Sequence, residues 1–141
     1  MASPGQVGRS VLAVFAGFVA VFVLSLGTDQ VLHVLGVYPP WGQPMWDPGL
    51  NLLALSYRLV YGVFGSWLMA RLAPRKPMLH VWIGAAIGFA LSAAGAIATM
   101  NMSFGPLWYP WLLAFSAFPT GWLGGHLFLR QEAQARPAQA S

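Results

Sequence analysis

The sequence predicts an all-α protein, a membrane-spanning antiparallel four-helix bundle with both termini cytoplasmic, on three observations. The 141 residues are 57% hydrophobic and only 7% charged, where an ordinary soluble domain carries roughly 25% charged residues. Four apolar runs each supply the roughly 20 residues that a helix needs to cross about 30 Å of hydrocarbon. Basic residues gather on one side of the resulting topology and aromatic residues on the other, as short cytoplasmic loops and membrane interfaces require. Composition also closes other classes. Such apolar content is incompatible with a disordered or collagen-like chain. The absence of cysteine removes disulfides, thiolate metal sites and a cysteine nucleophile, and leaves the redox compartment open.

The first run extends from about Ser10 to Val37. One arginine precedes it, and Ser25, Leu26 and Gly27 mimic a cleavage site. The apolar stretch nevertheless exceeds the roughly 7 to 15 residues of a signal-peptide core, so it reads as a span. The second run covers about Leu50 to Leu72, the third about Met78 to Met100, and the fourth about Leu107 to Leu129 with Pro119 in its middle. The connections YPPWGQPMWDPG, APRKP and NMSFGP are rich in helix-breaking residues and short, so neighbouring spans pack antiparallel. Residues 1–130 then form a single four-span domain. Residues 131–141, QEAQARPAQAS, are expected to form a polar cytoplasmic tail that frays into water.

Charge sets the expected orientation. Arg9, Arg71, Arg75, Lys76, Arg130 and Arg136, six of the seven basic residues, fall on one side, which assigns that side to the cytoplasm. The opposite side has Asp47 as its only formal charge and carries Tyr38, Trp41, Trp46, Trp108, Tyr109 and Trp111, an aromatic belt. A net charge of +4 raises nucleic acid as a partner. The basic residues lie along a membrane rim, however, where anionic headgroups are nearer, so the expected partner is the lipid bilayer and not nucleic acid.

An ionisable group inside a membrane is costly and marks a candidate site, which singles out Asp29 and Arg58. Asp29 lies ten residues before Pro39 and Arg58 eight after Leu50, placing them about 15 Å and about 12 Å from the outer helix ends at 1.5 Å per residue. At one level on adjacent helices they can neutralise each other. The favoured reading is a structural ion pair that fixes helix register. The alternatives are a ligand or proton site, or no pairing, with the first span ending near Gly27. Ser25, Asp29 and His33 share one helix face, and Tyr57 and Tyr61 flank Arg58 with hydroxyls for the carboxylate. The expectation is a buried polar cluster of Asp29, His33, Arg58 and Tyr61.

Small residues predict the packing faces. Arg58 heads a row of Gly62, Ser66 and Ala70 on the second helix, and Gly84, Gly88, Ser92 and Ala96 form a row on the third. Such rows admit close helix approach, chiefly within the bundle and otherwise against another protomer or a foreign subunit. In the fourth span Pro119 is expected to kink the helix, with Thr120, Gly121, Gly124 and Gly125 making that half thin.

No cofactor is expected. His33, His80 and His126 are scattered, and although His80 and His126 near the inner face offer axial haem ligands in principle, each has a simpler interfacial role. No metal site, G-x-S-x-G, H-E-x-x-H, Walker loop or G-x-G-x-x-G is present, and the acids are only Asp29, Asp47 and Glu132, so a paired-carboxylate mechanism lacks its second member and no enzyme is predicted. Trp67-Leu68-x-x-Arg71-Leu72 and Trp122-Leu123-x-x-His126-Leu127 share a pattern, which interfacial tryptophans at equal depth produce without a repeat.

Three stretches, GTDQVLHVLGVYPPWG (Gly27 to Gly42), YRLVYGVFGSWLMARLAPRKPMLH (Tyr57 to His80) and WYPWLLAFSAFPTGWLGG (Trp108 to Gly125), cover much of the chain. In them the sequence resembles a family of small bacterial integral membrane proteins of unassigned function with four predicted spans. The resemblance implies a bacterial inner-membrane location and carries over no catalytic or binding residues.

Two functions remain open at this level. The first is a non-catalytic accessory or scaffolding subunit that packs against a larger membrane assembly or its own copies, with Trp41, Trp46, Trp108 and Trp111 as partner contacts. Trp41 and Trp46 among prolines give a preorganised surface, although interfacial anchoring explains them equally well. The second is a small transporter or ion- or ligand-binding protein using Asp29 and Arg58. It requires a water-accessible cavity at that depth, and a dry, paired contact weighs against it. Four helices enclose little volume, so a monomer is expected to be structural.

Overall fold

A computed structural model describes residues 3–140. Among these residues the fold is all-helical, with α1 Pro4–Val34, α2 Pro48–Leu72, α3 Pro77–Thr99, α4 Trp108–Phe115 and α5 Ala117–Ala140. Four segments are long and apolar enough to cross a membrane: α1, α2, α3, and α4 with α5 taken together.

The helix starts are written in local chemistry. Ser3 caps α1 through a reciprocal capping box with Gln6, the Gln6 amide donating to Ser3 Oγ and the Ser3 amide to Gln6 Oε1, with Pro4 at the first position where its missing N–H costs nothing. Asp47 caps α2 by accepting the Gly49 and Leu50 amides, again ahead of a proline. Its charge sits at the positive end of that helix. Pro77 opens α3. With these caps and first-position prolines α1, α2 and α3 start six, two and one residues earlier than hydropathy alone indicates.

The α1 C-terminus shapes one end of the bundle. Gly36 adopts φ +75°, the Val37 amide donates to the Leu32 carbonyl at 2.9 Å and the Gly36 amide to the His33 carbonyl at 3.1 Å. This is a Schellman turn, which needs a residue free to take left-handed backbone. The chain is thereby turned back, and Tyr38 enters the bundle with 5% of its surface exposed. The α1–α2 and α3–α4 loops are joined where the Met45 amide donates to the Phe104 carbonyl at 2.7 Å. Gly105 makes this possible, since a Cβ there would lie 2.7 Å from the Met45 carbonyl oxygen.

In cross-section the bundle is a rhombus. α2 packs extensively against both α1 and α5, and α3 packs against α5, α4 and α2, whereas α1 makes no close backbone approach to α4 or α5 among the described residues. The core is built from small residues, with Ala13, Ala54, Ala70, Ala85, Ala96 and Ala114 buried and Val81 the largest side chain fully enclosed. Large apolar side chains such as Val11, Phe15, Phe22, Val60 and Leu91 point outward. Lipid as a solvent explains this inversion, because it provides no drive to bury leucine and rewards close backbone packing.

Glycines mark each crossing. α1 meets α2 at Gly17 and Gly65, where a Cβ on Gly65 would stand 3.0 Å from the Gly17 carbonyl oxygen. α2 meets α5 at Gly124, where a Cβ would stand 2.7 Å from Ser66 Cβ and 2.8 Å from the Trp67 nitrogen. Met69 fills the hollow between Gly17 and Gly84. Of the predicted rows, Gly62 and Ser66 face α5, Gly84 receives Met69, Gly88 rests against Phe18, and Ser92 is half-buried in the interior. Both rows serve packing within the bundle.

Two expectations need correction. The fourth span does not kink at Pro119 but breaks at Ser116, between α4 and α5. Pro119 offers no N–H to the Phe115 carbonyl and its ring collides with that group, so the defect falls one turn earlier. Ser116 Oγ donates to the Leu113 carbonyl and Thr120 Oγ1 to the Ser116 carbonyl at 2.7 Å, satisfying the turn locally. Among the described residues the segment after Arg130 is helical, since α5 continues to Ala140, and Trp67 Nε1 donates to Gln131 Oε1 at 2.8 Å.

Candidate functional site

The site is built where α2 brings side chains of α1 and α4 together beneath the α1–α2 and α3–α4 loops. Arg58 and Asp29 form an ion pair through Nη2 and Oδ2, with side chains 21% and 9% exposed. It is the only ion pair among the described residues. The second carboxylate oxygen accepts the Tyr57 hydroxyl. Tyr57 has one hydroxyl proton and spends it on Asp29, so in the 2.9 Å contact between the two phenols Tyr38 is the donor. Arg58 Nη1 donates to the Tyr109 hydroxyl at 2.7 Å, and its guanidinium lies 5.3 Å from the Tyr57 ring centroid. The result is one charged pair closed by three phenols, running Tyr38, Tyr57, Asp29, Arg58, Tyr109. Burial, with the Asp29 charge adding to it, holds the Tyr38 phenol above its ordinary value, so it stays neutral and can donate.

Of the four residues expected in this cluster, Asp29 and Arg58 meet directly. Tyr61 does not reach the carboxylate. Thr28 commits its own proton to the Leu24 carbonyl at 2.8 Å, so Tyr61 donates to Thr28 Oγ1 at 2.7 Å. This makes a separate strut between α1 and α2. His33 turns away, its Nδ1–H donating to the Asp29 carbonyl at 2.7 Å and its ring stacked on Trp41 at 3.8 Å and 7°. Sequence reasoning named Tyr57 as a flanking donor but missed Tyr38 and Tyr109 as members. The signal for Tyr38 was Gly36, whose turn brings the chain inward; Tyr109 becomes visible only once the fourth span is known to lie beside α2.

The tryptophans at this end of the bundle differ among themselves. Trp41 is 59% exposed yet fixed, stacked on His33 with Nε1 donating to Gln30 Oε1 at 3.0 Å. Trp46 and Trp108 are exposed without such supports, and Trp111 is half-buried against Phe115.

Below the cluster lies a cavity of about 290 Å³ lined by all four spans, with Arg58 at one end. Hydroxyls punctuate its apolar wall at Ser25, Ser66, Ser92, Ser116 and Thr120. Ser25 is nine-tenths buried, and its hydroxyl meets no hydrogen-bond partner among the described residues.

At the opposite end of the bundle His80 is buried. Its Nδ1–H donates to the Lys76 carbonyl at 3.0 Å, and its Nε2 is hydrogen-bonded with the Ser10 hydroxyl at 2.8 Å. His126 is exposed, bonded to the Trp122 carbonyl at 2.8 Å and packed on the Trp122 ring. Among the described residues no three His, Cys, Asp or Glu side chains gather to hold a metal ion. Comparison with models of known families, with curated proteins and with solved structures finds no match to the chain.

Proposed function

We propose that the protein is a non-catalytic integral component of a bacterial cytoplasmic membrane that acts as an accessory or scaffolding subunit, offering its outer face to a larger membrane assembly or to its own copies. The observation that carries this reading is the closed state of the Asp29–Arg58 pair. Each carboxylate oxygen holds a donor, and the guanidinium continues to Tyr109. Such a cluster ties α1, α2 and α4 together and sets their register, as a clasp does.

Charge asymmetry supports the orientation. The Ser10–His80 and Trp67–Gln131 bonds gather the ends of the helices that carry Arg9, Arg71, Arg75, Lys76 and Arg130. That end is assigned to the cytoplasm, with both termini inside and the tryptophan-bearing loops outside as an aromatic belt. Since the glycine seams are consumed within the bundle, a partner is met by the outer loops, where Trp41 is exposed and already held in one conformation. An aromatic side chain with no rotamer entropy left to lose suits a contact.

Purification from native membrane in mild detergent tests the proposal, with Trp41→Ala and Trp108→Ala as the paired variants. A companion subunit or a defined oligomer is expected with the parent and is lost with the variants, while helix content holds. A parent chain that arrives alone and monomeric overturns it.

A second reading has one observation in its favour, the cavity that joins Arg58 to the unpartnered Ser25 hydroxyl. Under it the protein binds or moves a small polar solute at mid-membrane. Uptake by proteoliposomes that falls with Ser25→Ala supports this reading, and uptake equal to that of empty vesicles ends it.

A further inference from the structure

A second hollow opens at the basic end, between α1 and α3, with a volume of about 660 Å³. Val11, Val14 and Phe15 form one wall and Leu79, Ile83 and Ile87 the other. At its mouth stand Gln6, Ser10, Arg75, Lys76 and His80. The apolar part, from Leu79 to Ile87, measures about 12 Å along the helix, close to the roughly 15 Å of one leaflet. The hollow is therefore a groove with the depth of an acyl chain and a cationic rim at the level of a headgroup.

The rim is uncompensated by the protein. Of the three acids in the chain, Asp29 pairs with Arg58 and Asp47 caps α2, both at the far end, and Glu132 on α5 forms no ion pair with either cation of the rim among the described residues. Arg75 and Lys76 are exposed and have no carboxylate partner among the described residues. Lys76 is moreover held at φ +47°, a left-handed conformation unusual for a side-chain-bearing residue. Its carbonyl accepts His80 Nδ1–H and the Leu79 amide, fixing the turn from which the two cations project.

We propose that this groove is a binding site for an anionic phospholipid, one acyl chain lying between α1 and α3 and the phosphate held by Arg75 and Lys76, with the Gln6 side chain in reach of the headgroup. Basic recesses between membrane helices on the cytoplasmic side favour such headgroups. A second copy of this chain does not fit. Helices associate in lipid through small residues, whereas these walls are branched and aromatic.

Native mass spectrometry of the intact chain, released from mild detergent after incubation with equal phosphatidylglycerol and phosphatidylcholine of the same acyl chains, tests the site. Phosphatidylglycerol is expected to be retained preferentially, and removing each cation, Arg75→Gln and Lys76→Gln, to lower its retention by about fivefold. Val11→Trp, at a position already 65% exposed on the groove wall, is expected to reduce retention of both lipids with helix content unchanged. Arg130→Gln, a cation on α5 outside the groove, is expected to leave retention within about twofold of the parent, since it removes only diffuse charge. Equal retention of the two lipids, a loss with Arg130→Gln as large as with Arg75→Gln, or no effect of Val11→Trp would each overturn the assignment.

Discussion

Arg58→Leu probes the clasp most directly, and its effect can be sized from the geometry. Removing one partner of a buried ion pair costs about 3–5 kcal/mol, whereas replacing both by apolar side chains is neutral or stabilising by about 1–4 kcal/mol. Without Arg58 the Asp29 carboxylate, 9% exposed, keeps only Tyr57 as a side-chain donor. The expected loss for Arg58→Leu therefore lies toward the upper part of that range. Without Asp29 the guanidinium, 21% exposed, still has Tyr109 and the face of Tyr57, so Asp29→Leu falls toward the lower part. The double variant is expected to be more stable than either single one, because neither charge is then stranded. Unfolding in mild-detergent micelles titrated with a denaturing detergent, followed by tryptophan fluorescence, gives all four corners of the cycle. An Arg58→Leu protein within about 0.5 kcal/mol of the parent, the range of an ordinary surface substitution, would refute the reasoning. So would a double variant whose loss equals the sum of the two.

Three further outcomes follow from the same contacts. Gly65→Leu is expected to lose 2 kcal/mol or more, roughly the cost of overpacking, because its Cβ meets the Gly17 carbonyl, while Gly95→Ala, with open space around it, is neutral or stabilising by up to about 1 kcal/mol; the same unfolding titration separates them. Trp41→Ala removes a stack worth about 0.5–1.5 kcal/mol and raises hydrogen exchange in the outer loop, and unchanged exchange would show that the loop is held by other contacts. Stability referred to Tyr38 is full below the unfolded phenol value of about 10 and declines as pH rises beyond it, since the buried phenol resists ionisation in the folded state. An alkaline titration in which Tyr38→Phe behaves like the parent would remove that contribution.

The spans were legible because hydropathy over twenty residues is a strong signal, and their starts were read late because Pro48 and Pro77 count as loop residues until they are recognised as first helical positions. The meeting of Asp29 and Arg58 could be read from depth alone. The phenols around them could not, since Tyr109 comes from a helix whose place beside α2 is a tertiary fact, and Tyr38 from a loop turned inward by a single glycine. The α1 side of the crossing with α2 is hard to see although Ala13 and Gly17 stand four apart, a short small-residue row hidden among valines and phenylalanines. The break at Ser116 was placed at Pro119 because a proline acts on the carbonyl one turn before it.

That break separates two duties along one crossing. The eight residues of α4 carry Tyr109 to the clasp, while α5 is locked to α2 through Gly124. A jointed crossing absorbs hydrophobic mismatch by tilting its shorter piece. The tether to Arg58 thus rests on the piece of the crossing that Gly124 does not lock to α2.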